Sequence, residues 1–98
     1  RQGATIRALL PEAIPGLDVS RMELVPGGQL GGIPHTAGTR EYLTCESGRI
    51  ELVASDERWE LGPGDVLVFR GDQRHSYRNL DARQPATAIS VVCFAPAG

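Results

Sequence analysis

With 98 residues and a mass of 10.5 kDa, the chain can close one hydrophobic core and has no material for a second. Its formal net charge is −2 and all of its basic residues are arginine, a balance that leaves no basic footprint for nucleic acid. A 41% hydrophobic fraction with 12 Gly and 7 Pro excludes a disordered chain and a long-helix architecture, and no apolar run nears the roughly 20 residues that a membrane helix needs.

In chain order, short apolar or alternating runs closed by glycine, proline or acidic turn residues predict strands over residues 5–10, 21–25, 29–34, 40–46, 49–54, 58–61, 66–69, 75–79 and 87–94. Turn chemistry falls at Pro26-Gly27-Gly28, Ser47-Gly48, Ser55-Asp56-Glu57, Gly62-Pro63-Gly64-Asp65 and Gly71-Asp72. Ser47-Gly48 between two strand-like runs predicts a tight hairpin. Residues 11–18, with Pro11, Pro15 and Gly16, read as an irregular connection, and residues 81–85 as a polar loop. Many short strands at regular spacing predict an all-β sandwich or barrel. A single domain over residues 1–98 is expected, with an N-terminal strand and connection over 1–19 and the barrel over 20–95. Arg1 in place of an initiator methionine is expected of the C-terminal part of a longer chain.

Cys45 and Cys93 lie far apart inside apolar runs, outside any C-x-x-C spacing, and are expected to be reduced core thiols. With no export segment in view, a cytoplasmic location is expected.

Strand alternation over residues 40–45 places Glu41, Leu43 and Cys45 on one face and Tyr42 and Thr44 on the other. A carboxylate on an apolar face costs several kcal/mol unless it is paired, hydrogen-bonded or bound to a metal. Glu41 therefore asks for a partner, and the chain holds only two histidines, His35 and His75.

Both histidines fall in recognisable wording. His35-Thr-Ala-Gly-Thr-Arg-Glu41 followed by Gly48 resembles the first motif of the cupin family, and Gly64-Asp65 onward with His75 and Asn79 resembles the second. The resemblance runs roughly from residue 22 to 92 and implies a double-stranded β-helix, a jelly-roll-like barrel, with His35, Glu41 and His75 as metal ligands. The sequence departs from the family where Ala37 replaces the second histidine of the first motif. Two histidines and a carboxylate still form a legal set for one divalent ion such as Zn, Fe, Mn or Ni. The other arrangement is an ion-free pocket in which Glu41 is hydrogen-bonded to one of the histidines. Leu43, Ile50 and Tyr77 are expected to wall the ligand pocket; Tyr42, Trp59 and Phe69 are candidates to line or cap it, with core or surface packing the favoured reading for each; and an inward arginine, with Arg40, Arg70 and Arg78 as candidates, would mark an anionic ligand.

The run through Gly-Thr-Arg-Glu-Tyr-Leu, Ser-Gly-Arg-Ile-Glu-Leu and Leu-Gly-Pro-Gly-Asp-Val-Leu-Val-Phe is similar to the C-terminal cupin of XRE-type helix-turn-helix regulators. That resemblance implies a sensor barrel that binds a small-molecule effector, forms a homodimer through strand edges or residues 5–10, and meets DNA only through an N-terminal helix-turn-helix domain, with no membrane partner. The alternative is a stand-alone metal-dependent cupin enzyme, a dioxygenase, isomerase or lyase, using the same three ligands.

Overall fold

The computed structural model describes residues 2–95, and every regular element among them is a strand. Eight strands follow in order: β1 (Gln2–Ala8), β2 (Leu17–Gly32), β3 (Arg40–Ser47), β4 (Ile50–Ala54), β5 (Glu57–Leu61), β6 (Val66–Arg70), β7 (His75–Asn79) and β8 (Ala86–Cys93). All pairings are antiparallel, in the order β5-β4-β7-β2-β8-β3-β6, with β1 also on β2. The result is a nearly closed barrel of two facing sheets.

The strand that joins the sheets is β2. Its first half, residues 17–24, pairs with β8 and its second half, residues 29–32, pairs with β7. Pro26-Gly27-Gly28, expected as a turn between two strands, is instead a bulge inside one long strand. Gly27 takes φ +70°, and a Cβ at Gly28 would fall 2.6 Å from the Gly3 carbonyl oxygen. The bend lets one strand serve both sheets without an added edge.

Ser47-Gly48 also differs from expectation. It is a turn, with Gly48 at φ +79°, but β3 and β4 do not pair across it. Both neighbours of β3 are already taken by β6 and β8, and both neighbours of β4 by β5 and β7, so the turn carries the chain from one sheet to the other. The Ser55-Asp56 turn is a true two-residue hairpin, with Ala54 opposite Glu57 and Ser55 in the left-handed region at φ 53°.

Alternation decides what is buried. Leu24, Leu43, Ile50 and Leu52 are wholly buried between the sheets, while Tyr42, Val66 and Val68 point outward. Cys45 and Cys93 are both free thiols, and Cys45 donates weakly to the Ser47 and Gly48 carbonyls. Burial, with the Asp65 carboxylate behind it, holds the Cys45 thiol above its ordinary pKa.

Asn79 closes the far end of the barrel. Its Nδ2 donates to the carbonyls of Leu24, Val25 and Gln84, and its Oδ1 accepts from the Asp81 N–H. Asn79→Leu would leave these buried groups unpaired, so it is expected to cost about 2 to 3 kcal/mol in urea unfolding. A loss below about 0.5 kcal/mol would show that water replaces the amide.

Candidate metal and ligand site

Three side chains far apart in sequence meet at the open end of the barrel. Glu41, second residue of β3, points inward because it shares the face of Leu43 and Cys45. His75 opens β7 and is buried. His35 sits on the loop between β2 and β3, half-buried, with its ring edge-on to Phe94 at 5.1 Å. One ligand atom from each of His35, Glu41 and His75 can be chosen so that all lie within 4.8 Å of one another.

The local chain fixes each ring and carboxylate. His75 Nδ1 lies 2.8 Å from the Gln73 carbonyl, which only accepts, so Nδ1 carries the proton and Nε2 presents its lone pair to the cavity. The Tyr77 hydroxyl donates to Glu41 Oε2. Burial first, then the Glu41 carboxylate, holds the Tyr77 phenol protonated, far above the ordinary tyrosine range. The loop bearing His35 is tied down by its backbone: His35 N–H donates to the Gly71 carbonyl at 2.9 Å, and Gly38 N–H to Asp72 at 3.0 Å. That bond from Gly38, with Arg70 beside it, keeps the Asp72 carboxyl below its usual pKa.

The donor set fits a cation. Glu41 Oε1 faces His75 Nε2 at 3.7 Å, too long for a hydrogen bond, and with Nδ1 holding the ring proton the two facing atoms are both acceptors. A bound ion between them satisfies both. Ligand atoms about 2.1 Å from a tetrahedral metal are about 3.4 Å apart, so side chains whose ligand atoms lie within 4.8 Å of one another must draw together by up to about 1.4 Å to close on an ion. The hydrogen bond expected between Glu41 and a histidine is absent among the described residues; Glu41 bonds Tyr77 instead.

A cavity of about 300 Å³ opens beside the three residues. Tyr77 lines it. Leu43 and Ile50 do not: both are 0% exposed in the core cluster, Ile50 in the row of Asn79 and Leu43 packed in the core although its row continues through Ser90 to Ser20 on the cavity. Tyr42 points outward, Trp59 packs half-buried against the core, and Phe69 stacks edge-on behind His75 at 5.4 Å. Arg40, Arg70 and Arg78 are exposed on the outside, Arg70 paired with Asp72 and Arg78 with Glu51.

Residues 20–92 match the family model described as the cupin domain. The chain belongs to the cupin family. No curated protein matches this cupin at the level of sequence. Among solved structures it is similar to the cupin 2 domain of an XRE family transcriptional regulator from Enterobacter cloacae, with 29% identity, a TM-score of 0.87, and coverage of 97% of this chain and 100% of that one. An HTH_3 family transcriptional regulator from Vibrio cholerae is 25% identical with a TM-score of 0.84, over 96% of this cupin and 52% of that longer chain. A sugar phosphate isomerase of the cupin superfamily from Silicibacter pomeroyi is 25% identical with a TM-score of 0.67, over 85% of this cupin and 54% of that chain. Among the described residues, no helix is long and apolar enough to cross a membrane.

Sequence reasoning missed the side of the cavity formed by Asp18, Ser20 and Ser90. Ser90 was legible in principle, since alternation in the last strand sets it on the same face as Ala88 and Val92. Asp18 was not, because residues 11–18 carry the proline and glycine chemistry of a loop although β2 already begins at Leu17.

Proposed function

We propose that this cupin is a metal-centred, small-molecule sensor domain of a DNA-binding transcriptional regulator. The observation that carries the reading is the convergence of His35, Glu41 and His75 at the mouth of an otherwise largely apolar cavity. The likeness to the cupin domain of an XRE regulator over nearly the whole chain supports the regulatory half. Three protein ligands leave positions on the ion for an effector, and a cavity of this size takes a small metabolite. The effector then acts by binding one arrangement of the dimer more tightly than another.

Zinc or manganese titration of the chelator-treated protein is expected to show one site per chain. A helix-turn-helix encoded directly ahead of residue 1 in the natural gene supports the regulator, and a reading frame that begins at the barrel overturns it. The enzyme alternative draws on the same ligands and on the likeness to the sugar phosphate isomerase; isomerisation of a sugar phosphate by the metal-loaded protein would establish it in place of the sensor.

The proposal includes a homodimer, and the outer face of the larger sheet suits a second copy. Strand register aligns Val19, Val91, Tyr42 and Val68 in one outward row, an apolar stripe with Tyr42 39% and Val68 44% exposed. Arg40 and Arg70, the latter paired with Asp72, edge one end of the stripe; at the other, Glu23 and Glu46 are both paired with Arg21. A two-fold axis lying across the strands stacks the stripe on itself. Wild-type protein is expected to sediment as a dimer and Val68→Glu as a folded monomer. A monomeric wild type, or a variant that stays dimeric, overturns this face as the interface.

A further inference from the structure

The charges around the cavity restrict what can enter it. Asp18 and Glu41 line it, and among the described residues no arginine does; the chain has no lysine. Asp18 and Glu41 occupy one cross-strand row of the larger sheet, since each is registered opposite Val92 of β8. At the usual spacing of neighbouring strands, their backbones are about 10 Å apart. Ser20 and Ser90 are direct partners in the next row, with Ser90 only 6% exposed and its side chain on the cavity face. Past Asp18 and Ser20 the surface continues as a groove edged by Glu12 with no basic side chain, whereas Arg74 stands on the opposite side, in the hollow that adjoins at Gly31, Gly32 and His75.

One end of the cavity thus offers the histidine and carboxylate ligands, and the other offers a carboxylate and hydroxyls. An ionised carboxylate only accepts hydrogen bonds. Asp18 stands exposed at the cavity mouth, so a group docking against it must donate, and a second anion there would face like charge with no guanidinium among the lining residues. We infer that the effector of this cavity is a short bifunctional molecule whose far end is a hydroxyl or an ammonium, held by Asp18, Ser20 and Ser90, and not a second carboxylate or a phosphate. The inference rests on the sensor reading and adds to it the chemical class of the ligand. The span from the metal-ligand cluster to Asp18 suits a chain of about four to six heavy atoms.

Three five-carbon probes test this: 5-aminopentanoate, 5-hydroxypentanoate and glutarate share a carboxylate that can face the metal and differ only at the far end. Zinc content of the wild-type protein is measured first, so a failure of the metal site is read before any probe is added. By isothermal titration of the zinc-loaded protein, the amino and hydroxy acids are expected to bind about tenfold or more tighter than glutarate. Asp18→Asn is expected to shrink the preference of the amino acid over glutarate at least fivefold, while leaving glutarate affinity equal or higher. Glutarate binding as well as the amino acid, no measurable binding by any probe to zinc-loaded protein, or a preference unchanged in Asp18→Asn would each overturn the inference.

Discussion

Glu41→Gln is expected to weaken zinc binding at least about 100-fold while leaving the metal-free barrel as stable as before or more so. The glutamine keeps the volume of the side chain and can still accept the Tyr77 hydroxyl bond, so packing is preserved. What it removes is the one anionic ligand of the cluster, and even an outer-shell change at a metal site typically costs 10 to 100-fold. Stability moves the other way because Glu41 is 1% exposed and no arginine lines the cavity around it, so a buried charge without a guanidinium partner is being deleted. Competition with a chromophoric chelator reads the affinity, and urea unfolding of the metal-free protein reads the stability. Equal zinc affinity in the two proteins would remove Glu41 from the ligand set, and the proposed metal centre with it.

A second change of similar size alters no ligand at all. Gly32, the last residue of β2, pairs directly with His75, and a Cβ at this position would overlap the imidazole at Nε2 and Cδ2 and lie 3.0 Å from Cε1. The ring has little room to retreat: Nδ1 is tied to the Gln73 carbonyl, and Phe69 and Tyr77 stand edge-on at 5.4 Å and 5.7 Å. Gly32→Ala is therefore expected to push Nε2 out of the cluster and lower zinc affinity about 100-fold with all donors still present. Gly31→Ala is the control, because a Cβ there meets nothing within 4 Å, and its affinity is expected to stay within about twofold of wild type. Should Gly32→Ala bind zinc like wild type, His75 would not be using Nε2 as inferred from its tautomer.

Together these substitutions separate what the donor set requires from what the fold supplies. Glu41 is a requirement of chemistry, read from a charged residue among apolar ones. Gly32 is a requirement of space, imposed by a neighbouring strand that sequence distance conceals: 43 positions separate it from His75, yet the two face each other in register.

Alternation alone was enough to place Glu41, Leu43 and Cys45 on the interior of an all-strand barrel, because the pleat turns successive side chains to opposite faces whatever the neighbours are. Residue chemistry likewise singled out His35, Glu41 and His75, the three that converge. Alternation could not tell an interior position in the closed core from one at the open mouth. Glu41 and Leu43 are two residues apart on one face, and both their rows reach the cavity, through Val92 to Asp18 and through Ser90 to Ser20, yet Leu43 itself is sealed in the core cluster. What covers an interior position is set by the strands that face it and their register, and register depends on pairings such as β2 with β7 and β8 that join residues remote in the chain. The same cause hid the unity of β2 and the unpaired turn at Ser47-Gly48. Local turn residues state that the chain bends, and only the occupied neighbours on either side decide which strands it bends toward.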